Sequence, residues 1–144
     1  MTKISASSLS DVVSTIETSE RRSRFARIIA IDGHAGAGKT TLAKKLQSNY
    51  SDLKVEVVHM DDLYDGWDNA LSVALTKNLE IGIAKPVSEG KSFEYRKFDW
   101  INMKYGELQR FKVPDLLILE GVGSGQRAVR KYLDQLIWID IEAE

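Results

Sequence analysis

Cysteine is absent from this 144-residue chain, and proline and histidine occur twice each. Without thiols there is no disulfide, no cysteine nucleophile and no thiolate-held metal, and two histidines are too few for a histidine-rich zinc site. No apolar run approaches the roughly 20 residues that span a bilayer. The opening MTKISASSLSDVV has no continuous apolar core of the kind a secretory signal requires. An excess of one charge is missing too: 20 Lys/Arg against 21 Asp/Glu leave a net charge of −1, which calls for neither nucleic acid nor a membrane surface. What is present, 43% hydrophobic and 28% charged residues, is a globular composition. The expectation is one cytoplasmic domain.

The charge is unevenly placed. Residues 1–47 carry eight Lys/Arg and four Asp/Glu, a balance of +4, and the rest carry twelve and seventeen, a balance of −5. Arg21, Arg22, Arg24 and Arg27 form the one basic cluster. It reads as solvated surface, or alternatively as a positive rim beside an anion site.

Apolar spacing sets out the elements. Leu9, Val12, Val13 and Ile16 recur at helical period behind Ser8 or Ser10 as caps, so 1–24 is an N-terminal helix and lead-in with a frayed start. Arg27–Asp32 is a buried strand, Thr40–Tyr50 a helix and Val55–His59 a second strand. Helical period returns from Trp67 to Leu79, and 80–112 reads as loops with a small hairpin. A third strand at Leu116–Leu119, a helix over Gln126–Leu133 and a fourth strand over Leu136–Ile141 complete the chain. Strands alternating with helices predict an α/β fold, a mostly parallel sheet with flanking helices.

Gly33-His34-Ala35-Gly36-Ala37-Gly38-Lys39-Thr40 matches the phosphate-binding pattern G-x-x-x-x-G-K-[ST], with a strand feeding it and a helix leaving it. Glycines let successive backbone N–H groups turn inward into an anion nest. The helix start adds unpaired amides and the positive end of its dipole. Lys39 can reach the β- and γ-phosphates, and the Thr40 hydroxyl can sit on Mg²⁺. His34 fills a free position and reads as exposed filler or a phosphate contact.

Ligands of open parallel sheets bind beyond the carboxyl ends of the strands. Asp61 and Asp62 follow the second strand there and Glu120 follows the third. A carboxylate in such a place can hold Mg²⁺, orient a nucleophile or accept a hydroxyl proton, or it can simply cap a turn.

IAIDGHAGAGKTTLA, HMDDLY and LLILEGVGS together resemble the uridine kinase-like group of P-loop kinases. The branch it looks like is that of bacterial uridine kinase-like ATP-binding proteins, matched by His59–Trp67 and Tyr95–Trp100. The resemblance covers roughly 25–144 and implies a nucleoside-kinase-like P-loop domain there. By that resemblance Gly33 to Thr41 bind the phosphates of ATP, with Thr40, Glu120 and Asp62 as candidates for Mg²⁺. Asp61 matches the catalytic base, with Lys39 as its catalytic partner on the phosphates. Tyr64, Trp67, Tyr95, Arg96, Asp99 and Trp100 fall where such kinases form the acceptor pocket, although aromatic residues serve equally well as core. Such kinases continue past the fourth strand into an arginine-rich lid, a further strand and an adenine-binding loop. Arg127, Arg130 and Lys131 precede that strand, so the 144 residues are expected to lack the lid and last strand.

The implied function is ATP- and Mg²⁺-dependent phosphoryl transfer to a hydroxyl of a nucleoside or similar small molecule. A nucleotide-binding regulator or slow NTPase without kinase activity, and an inactive piece of a longer kinase, are the alternatives. With no further strand in view, Leu136–Ile141 is expected to be a bare sheet edge that favours self-association.

Overall fold

Ile28, Ile29, Ala30 and Ile31 are all fully buried, because the strand they form lies at the centre of a sheet covered on both faces. The computed structural model describes residues 2–4, 8–34, 36–64 and 72–139. In chain order it contains β1 (Thr2–Ile4), α1 (Leu9–Thr18), β2 (Arg27–Gly33), α2 (Lys39–Asn49), β3 (Val55–His59) and a 3₁₀ turn at Met60–Asp62. Next come α3 (Val73–Lys77), a π-helical segment (Asn78–Ala84), α4 (Lys85–Ser88) and the strands β4 (Phe93–Asp99) and β5 (Lys104–Phe111). The last elements are β6 (Leu116–Glu120), a 3₁₀ segment (Arg127–Tyr132) and β7 (Gln135–Ile139).

The main sheet has the order β1-β7-β2-β6-β3, parallel throughout. Alternation sorts its side chains. Ile29, Ile31, Leu116, Ile118 and Ile137 face α1 and α2 through Val12, Ile16, Ala43 and Leu46. Ile28, Ala30, Val58, Leu117 and Leu119 face the other way, onto Leu75, Leu79, Ile83, Phe93 and Tyr95. Two apolar layers therefore grip one sheet, and each fully buried Ile or Leu contributes roughly 1.5–3 kcal/mol. Ser8 caps α1 by accepting from the Asp11 N–H, as its position ahead of the apolar stripe predicts.

Several expectations are corrected. The start of the chain is not merely a lead-in: Thr2–Ile4 pairs in parallel with Ile137–Ile139, so the last strand is covered and is not the edge of its sheet. The main sheet therefore has five strands, not four. The helix expected over Trp67–Leu79 is α3, which runs on into the π segment and α4; residues 65–71 lie outside the described residues. Over 80–112, where loops with a small hairpin were expected, the helical run continues to Ser88, and the hairpin is present and long. Phe93, Tyr95 and Phe98 supply its buried face, while the whole of β5 up to Arg110 is exposed. The helix expected at Gln126–Leu133 is 3₁₀. No helix among the described residues is long and apolar enough to cross a membrane.

Candidate active site

β2 ends in Gly33, whose φ of 141° and whose neighbour, the Ile139 carbonyl, leave no room for a side chain: a Cβ there would lie 2.2 Å from that oxygen. The chain then turns and enters α2 through Gly38 in a left-handed conformation, φ 92°. Gly38 has no side chain to cap the helix, so the first-turn amides of α2 get no cap from it, and the space beside Gly36 and Gly38 is open. Lys39 is buried and its Nζ donates to the His34 carbonyl at 2.5 Å, across the mouth of the loop. Thr41 is exposed on α2. His34 is exposed, its ring edge-on to Trp138 at 6.0 Å. Ala35 lies outside the described residues.

The carboxyl ends of β6 and β3 meet the loop from the side. Thr40 Oγ1 donates to Glu120 Oε1 at 3.0 Å, and His59 Nδ1 donates to Glu120 Oε2 at 2.5 Å. His59 and Glu120 are register partners in adjacent parallel strands, so the sheet itself sets them side by side. Burial pushes the Glu120 carboxyl up, but the hydrogen bonds from His59 and Thr40, with the charges of His59 and Lys39, hold it below the ordinary carboxylate range. The Glu120 hydrogen bond raises the His59 imidazole above its ordinary value against the opposing effect of burial. Asp62 is raised, first by burial and then by the neighbouring Asp61 and Glu120 charges, with His59 and Lys97 acting against them.

Asp61 is exposed on the turn after β3, and its Oδ1 accepts the Tyr64 hydroxyl at 2.7 Å. The Trp100 indole donates to the Asp61 carbonyl at 3.0 Å, and the Tyr105 hydroxyl to the Leu63 carbonyl at 3.2 Å. The hairpin thus clasps the turn that carries both aspartates. Tyr64, Tyr95 and Arg96 line a cavity of about 830 Å³ between the hairpin and α3 with its π continuation. Asp99 does not line it. Its carboxylate accepts the Ile101 and Asn102 N–H groups and holds the hairpin turn. Trp67 lies outside the described residues.

The basic cluster is not a rim for this site. Arg27 begins β2 while Gly33 ends it, a separation of roughly 20 Å at 3.3 Å per residue. Arg27 Nη1 donates to the Ile16 carbonyl and Arg22 Nε to the Leu133 carbonyl, which ties the N-terminal segment to the core.

Two residues escaped the sequence reading. Asp32 is buried, and its carboxylate accepts N–H groups from Gly33 at 2.7 Å, Gly123 at 3.1 Å and Gly125 at 2.9 Å. It joins the phosphate loop to the loop after Glu120. His59 is the other. The signal for both was position: each is a polar residue at the carboxyl end of a parallel strand.

The open cradle, the ammonium and the Thr40 hydroxyl suit a nucleotide's phosphates. Among the described residues, no group of three or more His, Asp or Glu is arranged to hold a metal by itself. Mg²⁺ would take Thr40 and Glu120 together with phosphate oxygens, the usual arrangement for this ion.

No protein-family model matches the chain. Among curated proteins, the uridine kinases of Macrococcus caseolyticus and Staphylococcus aureus are 26% and 27% identical over 130 residues, covering 81% of this chain. The chain spans about 63% of the length of these relatives. Among solved structures, a "Possible Uridine Kinase" from Bacillus stearothermophilus superposes with a TM-score of 0.76 at 19% identity, over 93% of this chain and 80% of that one. A "putative fructose transport system kinase" from Silicibacter superposes at 0.67 and 20% identity, over 96% of this chain and 76% of that one. The chain thus shares the fold of these kinase structures, and its sequence is similar to that of uridine kinases.

Proposed function

We propose that the protein transfers the γ-phosphoryl group of ATP, with Mg²⁺, to a hydroxyl of a small molecule, a nucleoside or a compound of similar size. The observation that carries this reading is the meeting of three parts at one sheet end: the cradle closed by Lys39, the Thr40–Glu120–His59 chain, and Asp61 on the adjoining turn.

Lys39 leaves the His34 carbonyl and takes up charge on the β- and γ-phosphates, while the loop amides hold them in place. Thr40 and Glu120, with Asp62 beside them, would hold Mg²⁺, which would supply positive charge against the phosphates. Asp61 accepts the acceptor's hydroxyl proton as that oxygen bonds to the γ-phosphorus and the bond to the β-phosphate oxygen breaks, releasing ADP. Catalysis on this reading is positioning and electrostatics.

Lys39→Ala is expected to abolish ATP binding, read by titration calorimetry. Asp61→Asn is expected to keep ATP affinity within about twofold while transfer falls about 10²-fold or more, the range for losing a general base. Transfer retained by Asp61→Asn would show the base to be misassigned. Release of phosphate from ATP that no hydroxyl compound stimulates would favour the NTPase alternative.

A further inference from the structure

The cavity beside the Asp61 turn has one wall of unusual chemistry. In β4 the buried face is Phe93, Tyr95 and Phe98, so Glu94 and Arg96 point the other way. Across the ladder, Arg110 stands opposite Glu94 and Leu108 opposite Arg96. Both faces of the hairpin contribute to the cavity: Phe93 and Tyr95 from the buried face of β4, and two guanidinium groups and one carboxylate from the other, while Ile81 and Leu108, both at least half exposed, add apolar lining.

The guanidiniums are little used. Arg96 Nη1 donates to the Gly106 carbonyl at 3.3 Å and Arg110 Nε to the Ser92 hydroxyl at 3.2 Å. Among the described residues neither has an ion-pair partner, Glu94 included. Each guanidinium offers five N–H donors, and the fork geometry suits a carboxylate or a phosphate. At about 830 Å³ the cavity has the size of a small-molecule site. The cavity reaches the chemistry through Tyr64, which lines it and donates its hydroxyl to Asp61.

We infer that this cavity takes the acceptor and that the acceptor is anionic, with a phosphate or carboxylate on Arg96 and Arg110 and its reacting hydroxyl toward Tyr64 and Asp61. This rests on the phosphotransfer reading and narrows its substrate class from neutral nucleosides to acidic hydroxy compounds such as sugar phosphates and sugar acids.

The test compares four probes as acceptors from labelled ATP with Mg²⁺: ribose, uridine, ribose 5-phosphate and ribonate. At least one anion is expected to exceed both neutral compounds in kcat/KM by about tenfold or more. Which anion does so separates phosphate from carboxylate. The preference is expected to vanish in Arg96→Met/Arg110→Met, whose folding is checked by circular dichroism and whose ATP affinity is expected to hold. Ribose or uridine serving as well as either anion would overturn the inference, as would a preference that survives in the double variant. If ATP binds and no probe is phosphorylated, the phosphotransfer reading fails first. The cavity is then judged by binding, with the phosphate loop filled by a non-hydrolysable ATP analogue. A saturable thermal shift with ribose 5-phosphate or ribonate that the double variant loses supports the anion site, and no shift with either overturns it.

Discussion

His59 and Glu120 lean on each other, and the pH dependence of stability follows from the direction of each shift. Glu120 is held below its ordinary range, so its contribution is present above the unfolded carboxylate pKa, about 4.3, and is lost as pH falls through the lowered native value. His59 is raised, so its contribution is complete below the unfolded imidazole pKa, about 6.5, and is lost as pH rises through the raised native value. The pair therefore supports the fold best between those two values. Urea midpoints across this range should decline on both sides, and His59→Gln should flatten the alkaline limb. A variant profile that superimposes on the wild type would remove the pair from the account. At this scale the sequence was most legible where a residue's neighbours are local. Lys39 and Thr40 stand in an eight-residue pattern, whereas His59 and Asp32 have partners 61 and 91 or more residues away, which no local spacing reveals.

The hairpin is the element furthest from its expected form. The sequence suggests a small hairpin among loops here, and its length is hidden because β5 carries Gly106 and has no buried face of its own. It persists because β4 puts Phe93, Tyr95 and Phe98 into the core, with Phe111 stacked on Tyr95 at 5.2 Å between centroids. Trp100 then ties it to Asp61. Trp100→Phe removes the indole N–H and is expected to cost about 0.5–1.5 kcal/mol in urea unfolding. It is also expected to lower acceptor transfer more than ATP binding, because the freed turn carries Asp61. Equal loss in both, or in neither, would mean that the hairpin does not hold that turn in place. The expected helix at Gln126–Leu133 failed for a related reason. Gln126 and Gly125 are committed elsewhere: the Gln126 amide donates to the Gly123 carbonyl, and Gly125 gives its N–H to Asp32 and its carbonyl to Arg130.

For the whole molecule, the arrangement that matters is the extension of the sheet by its first strand. Val12 and Ile16 bring α1 into the same apolar layer as α2, so the N-terminal segment shares the core of the rest. β1 covers the free side of β7, whose Leu136 and Ile137 are buried. Deleting residues 1–7 would expose a flat apolar strand with unpaired backbone groups, the kind of edge that recruits other chains. That truncated protein is expected to self-associate with rising concentration in sedimentation velocity at concentrations where the intact chain does not. A truncated chain that sediments as the intact one does would show that β1 is dispensable as a cover.

Local spacing suffices for the α/β class, the glycine-rich loop and the strand ends at which Asp61, Asp62 and Glu120 stand, through apolar runs, glycines and a four-position motif. Which strands pair decides that Thr2–Ile4 extends the sheet past β7, that His59 and Asp32 stand beside the loop, and that the basic cluster lies at the opposite end. Those are consequences of strand order and register, and strand order depends on which apolar faces meet across the whole chain.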